Sequence, residues 1–256
     1  MKILLILVDA MRPDTLKDIP SAQDIMSKST VTLNATCVYP SHTLPCHLSL
    51  FLSVDPKRHG VYDNTFIPMR EPVDGLCEVL SKNKKSCAFF YTWDEIRDLA
   101  RYGSLNFSYI FKGEMLGYAY ANTKVSDEAI KYLNEYPTDF AFLYMGHPDV
   151  EGHFHGWMST QYMDAIEYCW KDINRVIDAL PDDYTIIITA DHGGHNYDHG
   201  TTLPEDMLIP IIIHNKSNAD FNADLSNANI MDFAPSICEA LGVEPNSQWE
   251  GKSFLI

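Results

Sequence analysis

Ala190-Asp191-His192-Gly193-Gly194-His195 follows directly on the apolar run Tyr184–Thr189. An unbroken apolar run bounded by turn residues reads as a strand covered on both faces, the kind found in parallel sheets. An Asp and a His side by side at its end stand where α/β metalloenzymes place ligands, and the glycines behind them let the backbone turn closely in a crowded site. Such a pair is also compatible with a plain turn, so the rest of the chain has to decide.

Working outward, further strand-like runs are Ile3–Val8, Val31–Val38, Cys87–Tyr91, Phe140–Met145 and Leu208–His214. Amphipathic helical stretches fall between them at Ser21–Lys28, His47–Leu52, Val73–Lys82, Asp94–Arg101, Ser126–Glu135, Thr160–Leu180 and Phe233–Leu241. The last has Asp232 as its expected N-cap and Gly242 as its stop. This alternation predicts an α/β protein with a doubly wound, mostly parallel sheet sandwiched by helices. The 256 residues suffice for one substantial core, and two full domains would be cramped. No repeat or linker interrupts residues 1–256, which are expected to form a single catalytic domain. Tyr102–Tyr120, rich in Gly and aromatics, is the expected small insertion or lid.

A formal charge of −16 argues against binding a nucleic acid polymer or an anionic membrane, since both depend on Lys and Arg neutralising phosphate. For a phosphate substrate the positive charge must then be local, as metal ions would provide. Ile3–Val8 is too short for a membrane span or signal peptide and runs straight into Asp9. The six cysteines form no C-x-x-C pair and read as reduced thiols, so the expected location is cytoplasmic.

In open α/β sheets, ligands bind beyond the carboxyl ends of the strands. Asp9 follows the first strand, Asp149 and His153 follow Phe140–Met145, and Asp191 and His192 follow Tyr184–Thr189, with His199 in the loop beyond. Taken singly, each has an ordinary reading: Asp9 as a helix cap, Asp149 and His153 as a solvated loop. In Tyr39-Pro40-Ser41-His42-Thr43-Leu44-Pro45-Cys46-His47 two prolines bracket a turn into an apolar helix, which places the Thr43 hydroxyl near a helix N-terminus. Thr43 is either a plain N-cap or a hydroxyl that a metal activates as a nucleophile.

Six motifs occur in one order: Asp9; Pro40-Ser41-His42-Thr43-Leu44-Pro45-Cys46-His47; His59-Gly60-Val61-Tyr62-Asp63-Asn64; Pro148-Asp149-Val150-Glu151-Gly152-His153; Asp191-His192-Gly193; and His199-Gly200. In that order the chain resembles the alkaline phosphatase superfamily, in its type I phosphodiesterase/nucleotide pyrophosphatase branch. Cys46 departs from the pattern, which usually has Asn there, and His199 lies unusually close to His192. His195 and His214 therefore stand as substitutes for His199, and His147 and His155 as bystanders.

The resemblance implies one metal held by Asp9, Asp191, His192 and the Thr43 oxygen, and a second held by Asp149, His153 and His199. Mixed imidazole and carboxylate ligands suit zinc, or manganese, more than magnesium. It also implies that Thr43 attacks phosphorus to form a phosphothreonine and that Asn64 donates to a nonbridging oxygen. The expected activity is that of a two-metal phosphodiesterase acting on a small phosphate ester or nucleotide-like substrate. The alternatives are a phosphomonoesterase, a phosphonate hydrolase, a sulfatase and, from another class, a noncatalytic metal-binding module. A sulfatase needs Cys or Ser where Thr43 stands, and a monoesterase usually adds cationic residues. Of the basic residues near the motifs, Lys57 and Arg58 have no assigned place. Tyr62, Phe66, Tyr118 and Tyr120 are read as packing residues rather than as a stacking platform.

Overall fold

The computed structural model describes residues 1–217 and 222–256. Seven strands form one sheet: β1 (Lys2–Val8), β2 (Thr30–Thr36), β3 (Cys87–Tyr91), β4 (Phe107–Ile110), β5 (Phe140–Met145), β6 (Tyr184–Thr189) and β7 (Leu208–Asn215). Their order across the sheet is β2-β7-β6-β1-β5-β3-β4. All pairings are parallel except β6 with β7 and β2 with β7, so β7 alone runs against the other strands. The sheet is mostly parallel and covered by helices, as the apolar runs predict. From Ile3 to Val8 the central strand is wholly buried, which explains why it needs no polar alternation.

The helices are α1 (Pro20–Met26), α2 (Thr43–Leu52), α3 (Pro56–His59), α4 (Leu76–Lys82), α5 (Gly113–Leu116), α6 (Tyr118–Glu135), α7 (His147–His155), α8 (Thr160–Ala179), α9 (Pro204–Met207) and α10 (Phe233–Ala240). In α8, Ser159 caps the N-terminus by accepting from the Tyr162 N–H, and Tyr162, Ile166, Cys169, Ile173, Val176 and Ile177 lie on the buried face at helical spacing. Every residue of α2 is buried, so this helix is a wedge beneath the sheet's carboxyl edge rather than an amphipathic cover. None of the described helices is long and apolar enough to cross a membrane.

Three expectations change. The helix expected from His47 begins at Thr43, because Pro45 falls within the first turn, where its missing N–H costs nothing. Asp232 does not cap α10 with its side chain; its carboxylate instead accepts from the Asn229 and Lys252 N–H groups, ending a short 3-10 turn and tying down the C-terminal segment. Within 102–120, β4 is an edge strand alongside β3. Its four residues alternate between half-buried and exposed, too short a pattern to register as a run.

Candidate active site

Because β1, β5 and β6 are parallel neighbours, their carboxyl ends lie side by side, and the residues just past them converge. Asp9 follows β1, Asp191 and His192 follow β6, and α7 carries Asp149 and His153 in its first and later turns. Thr43 is the first residue of α2, which enters from the direction of β2. A cleft of about 690 Å³ opens above them, lined by Asp9, Thr43, Asn64, Trp93, Tyr144 and Asp149 together with the wall from Gly113 to Ala119.

Three histidines have their ring orientation set by backbone carbonyls. His192 Nδ1 lies 2.8 Å from the Gly193 oxygen, His199 Nδ1 lies 2.8 Å from the Ser41 oxygen, and His153 Nδ1 lies 3.0 Å from the Tyr197 oxygen. A carbonyl can only accept, so each Nδ1 carries the proton and donates it. Each Nε2 is therefore left with a bare lone pair.

Apart from the Thr43 hydroxyl 3.2 Å from His192 Nε2, those lone pairs face carboxylates and one another. His192 Nε2 is 3.3 Å from Asp191 Oδ2 and 3.5 Å from Asp9 Oδ1. His153 Nε2 is 3.5 Å and His199 Nε2 3.6 Å from Asp149 Oδ1, and the two imidazole nitrogens are 3.2 Å apart. Asp9 Oδ1, Asp149 Oδ1 and Asp191 Oδ2 are buried without any hydrogen-bond partner. Orphaned acceptors facing lone pairs repel one another, and cations between them turn every such contact attractive. Asp149, His153 and His199 can together hold an ion, as can Asp9, Asp149 and His192. The donor set fits metal ions.

Electrostatics point the same way. Burial first, then Asp191 and Asp149, pushes the Asp9 carboxyl well above the usual range. Burial raises Asp191 to about 7, although the Ala10 N–H bond opposes it, and also raises Asp149. His192 is held well below the usual imidazole range by burial and then by His199. A protein crowding three carboxylates here needs positive charge from elsewhere.

Thr43 Oγ1 lies 3.2 Å from His192 Nε2. The Leu44 N–H donates to Asn64 Oδ1 at 3.0 Å, which orients the amide and leaves its Nδ2 donors for the cleft that Asn64 also lines. The eight sequence-predicted residues are thus brought together. The substitutes for His199 are not: His195 donates its Nδ1–H to Asp206 at 2.8 Å, and His214 pairs with Ser29. Arg58 reaches the Gln248 carbonyl and Glu250, away from the cleft. Of the four aromatics, Tyr118 lines the cleft, whereas Tyr120 packs on Phe111 and Phe66 lines a separate groove.

The glycines of the founding motif have the tight neighbours their residue type implies. A Cβ at Gly193 would overlap the Glu205 carbonyl oxygen, and one at Gly194 would overlap the Trp157 ring. Two residues that sequence reasoning missed also support the site. The Tyr144 hydroxyl donates to Asp9 Oδ2, and His47 donates its Nδ1–H to the Thr43 oxygen at 2.8 Å with Asp191 Oδ2 3.5 Å away. Tyr144 is hidden in an apolar strand, while His47 stands within the nucleophile motif and could have been flagged there. Cys46 lies buried with its thiol toward the Val38 oxygen.

Residues 3–96 and 111–236 match the type I phosphodiesterase / nucleotide pyrophosphatase family, so the gap in the match contains β4. Among curated relatives, the chain is 28% identical over 157 residues to a 2,3-bisphosphoglycerate-independent phosphoglycerate mutase of Clostridium acetobutylicum, covering 58% of this chain and 29% of that one. It is 26% identical over 216 residues to ectonucleotide pyrophosphatase/phosphodiesterase family member 1 of Homo sapiens, covering 74% and 23%. The matched regions thus span less than a third of these relatives. The fold is shared with murine ectonucleotide pyrophosphatase / phosphodiesterase 5, solved as an inactive threonine-to-alanine form with AMP, at TM-score 0.76, 13% identity and full coverage of both chains. The chain belongs to the type I phosphodiesterase / nucleotide pyrophosphatase family of hydrolases, within the alkaline phosphatase superfamily.

Proposed function

We propose that this chain hydrolyses phosphoric esters with two bound metal ions and Thr43 as nucleophile, and that it acts on small phosphodiesters. The observation that carries this reading is Thr43 Oγ1 at 3.2 Å from a histidine lone pair, beside three orphaned carboxylate oxygens. Asp9, Asp191, His192 and the Thr43 oxygen would hold one ion, and Asp149, His153 and His199 the other, zinc or manganese suiting both sets. When bound, the ions supply Lewis-acid charge that lowers the pKa of the Thr43 hydroxyl and offsets charge growing on the reacting oxygens.

The chain's own groups do the rest. Thr43 heads α2, where the helix dipole favours an anionic phosphoryl group. Its hydroxyl proton passes to solvent, the oxygen attacks phosphorus, the Oγ–P bond forms as the ester P–O bond breaks, and water later cleaves the phosphothreonine. Asn64 Nδ2 donates to the nonbridging oxygen whose charge grows in the transition state. All three Nδ1 protons are committed to carbonyls, so none of these three imidazoles protonates the leaving alcohol, and solvent does so.

A phosphomonoesterase is the second reading, favoured by the similarity to phosphoglycerate mutases. Against it, the cleft lining includes neither Lys nor Arg to hold a dianion. The deciding test is a panel of p-nitrophenyl esters with zinc- or manganese-loaded protein: a phosphodiester, a phosphate monoester, a phosphonate ester and a sulfate. The diester should be cleaved fastest, and chelation should stop the reaction. Faster cleavage of the monoester or sulfate, or chelator-insensitive turnover, would overturn the reading.

A further inference from the structure

Gly152 and Gly194 give up their side chains to the same ring. Gly152 directly precedes His153 in α7, and Gly194 stands two residues past His192. A Cβ on Gly152 would lie 2.7 Å from the Trp157 indole and one on Gly194 2.2 Å from it, closer than side-chain atoms approach. Trp157 is buried between α7 and α8, and its backbone N–H donates to the Asn196 oxygen at 2.8 Å. It is thus fastened both to the helix that carries His153 and to the loop beyond β6 that carries His199.

The two histidines stand against the indole. The His153 ring centre is 5.0 Å from that of Trp157 with the planes at 85°, and the His199 ring centre is 5.9 Å away with the planes at 70°. His199 has further support, stacking on His192 at 4.0 Å and meeting the edge of His42 at 5.1 Å. His153 has less: its side chain is 39% exposed, and a single hydrogen bond to a carbonyl, that of Tyr197, orients it. An imidazole held by one such bond can pivot about it, and a bulky ring against its side removes that freedom. Trp157 is not among the residues lining the cleft, so its effect on the reaction passes through the ligands and not through the substrate.

Resting on the two-metal reading, we infer that Trp157 is a positioning residue for the ion held by Asp149, His153 and His199. The indole keeps His153 Nε2 turned toward Asp149 before metal arrives, so little ordering is left for binding to impose. Its influence falls on one ion rather than on both.

The test is stepwise zinc binding to metal-free protein, read by competition with a chromogenic chelator. The wild type should take up two ions. Trp157→Ala should weaken the step that His199→Ala abolishes by at least about tenfold, the scale on which residues supporting ligands act, and leave the other within about threefold. Trp157→Phe, which keeps a ring, should recover most of that loss. Gly152→Ala covers the case in which Trp157→Ala does not fold: alanine is the better helix former, so α7 stays helical by circular dichroism while the added methyl displaces the indole, and the same step should weaken. At limiting zinc Trp157→Ala should turn over slowly, and excess zinc should restore the rate with KM for a p-nitrophenyl phosphodiester unchanged, a rescue that a damaged fold would not show. Two-step binding in Trp157→Ala or Gly152→Ala equal to that of the wild type, or equal weakening of both steps, would overturn the inference and leave the two-metal reading intact. A wild type that binds fewer than two zinc ions would overturn that reading, and the inference with it.

Discussion

Asp191 and Asp206 lie on the same stretch between β6 and β7, both wholly buried, yet they are built for opposite purposes. Asp206 accepts from His195 Nδ1 at 2.8 Å through one oxygen and from the Thr201 N–H and hydroxyl at 2.9 and 2.7 Å through the other. Every polar atom there has a partner, and the result is a clamp on the loop that carries His192 and His199. Asp191 accepts from the Ala10 and His192 N–H groups through Oδ1, while Oδ2 faces a histidine lone pair with no donor at all. A buried acid with all its bonds made supports the fold, and one left half-bonded among lone pairs is held ready for something else.

The comparison can be broken most decisively at its reactive side. Thr43→Ala should lower turnover by several orders of magnitude while keeping the fold and most of the metal, and Thr43→Ser should retain measurable activity. Acid quenching of the wild type during turnover should trap phosphate or a phosphoryl ester on the peptide containing Thr43. Full activity in Thr43→Ala, or label only elsewhere, would refute the covalent route.

On the two-metal proposal, Asp191→Asn would remove a metal ligand while Oδ1 keeps its bonds from the Ala10 and His192 N–H groups. Zinc affinity, read by competition with a chromogenic chelator, should fall roughly 10²-fold or more, since even supporting residues of metal sites cost 10- to 100-fold. Unchanged affinity would mean the orphaned oxygen serves another end. Asn64→Ala should cost roughly 10²–10³ in turnover, the scale for one oxyanion donor, with metal content intact. A near wild-type rate would reduce Asn64 to a turn residue.

Asp206→Ala tests the other side. It strands His195 and both Thr201 donors, so stability should drop by about 2–4 kcal/mol in denaturant unfolding, while the folded fraction still binds two metals. Loss of metal stoichiometry without loss of stability would erase the distinction between the two acids.

The smallest effect concerns a histidine satisfied by neutral partners. His59 pairs with the Ser49 hydroxyl and accepts from the Val61 N–H, and burial lowers its pKa to about 4. The unfolded chain, with an ordinary value near 6.5, binds this proton more readily. Stability from His59 is thus fully present above about pH 6.5 and is lost as pH falls toward 4. At pH 5 the loss should be on the order of 2 kcal/mol, and thermal melts of wild type and His59→Asn between pH 7 and 5 should converge. Parallel curves would show that His59 does not set the acid limit.

Much of this was legible in the chain itself. Ile3–Val8 and Tyr184–Thr189 announce buried parallel strands because a strand covered on both faces shows no alternation of apolar and charged positions. The ordered motifs then name Asp9, Thr43, Asn64, Asp149, His153, Asp191 and His192, because reactive groups cluster at strand ends where local backbone pattern and chemistry coincide. Elsewhere local pattern fell short: β4 alternates over only four residues, and Asp232 is a good cap by type but is claimed by Asn229 and Lys252.

Only the tertiary structure could choose His199 over His195 and His214. All three are the same residue type, His195 and His199 in one loop and His214 within β7, and the choice rests on which group meets each ring: the Ser41 carbonyl for His199, Asp206 for His195 and Ser29 for His214. The same holds for Tyr144, whose hydroxyl meets Asp9 across the pairing of β1 with β5. Sequence periodicity reports which side of an element is buried, because that depends on near neighbours. The state of a lone pair or a carboxylate oxygen depends on partners far away in the chain, and those exist only once the sheet has brought its strand ends together.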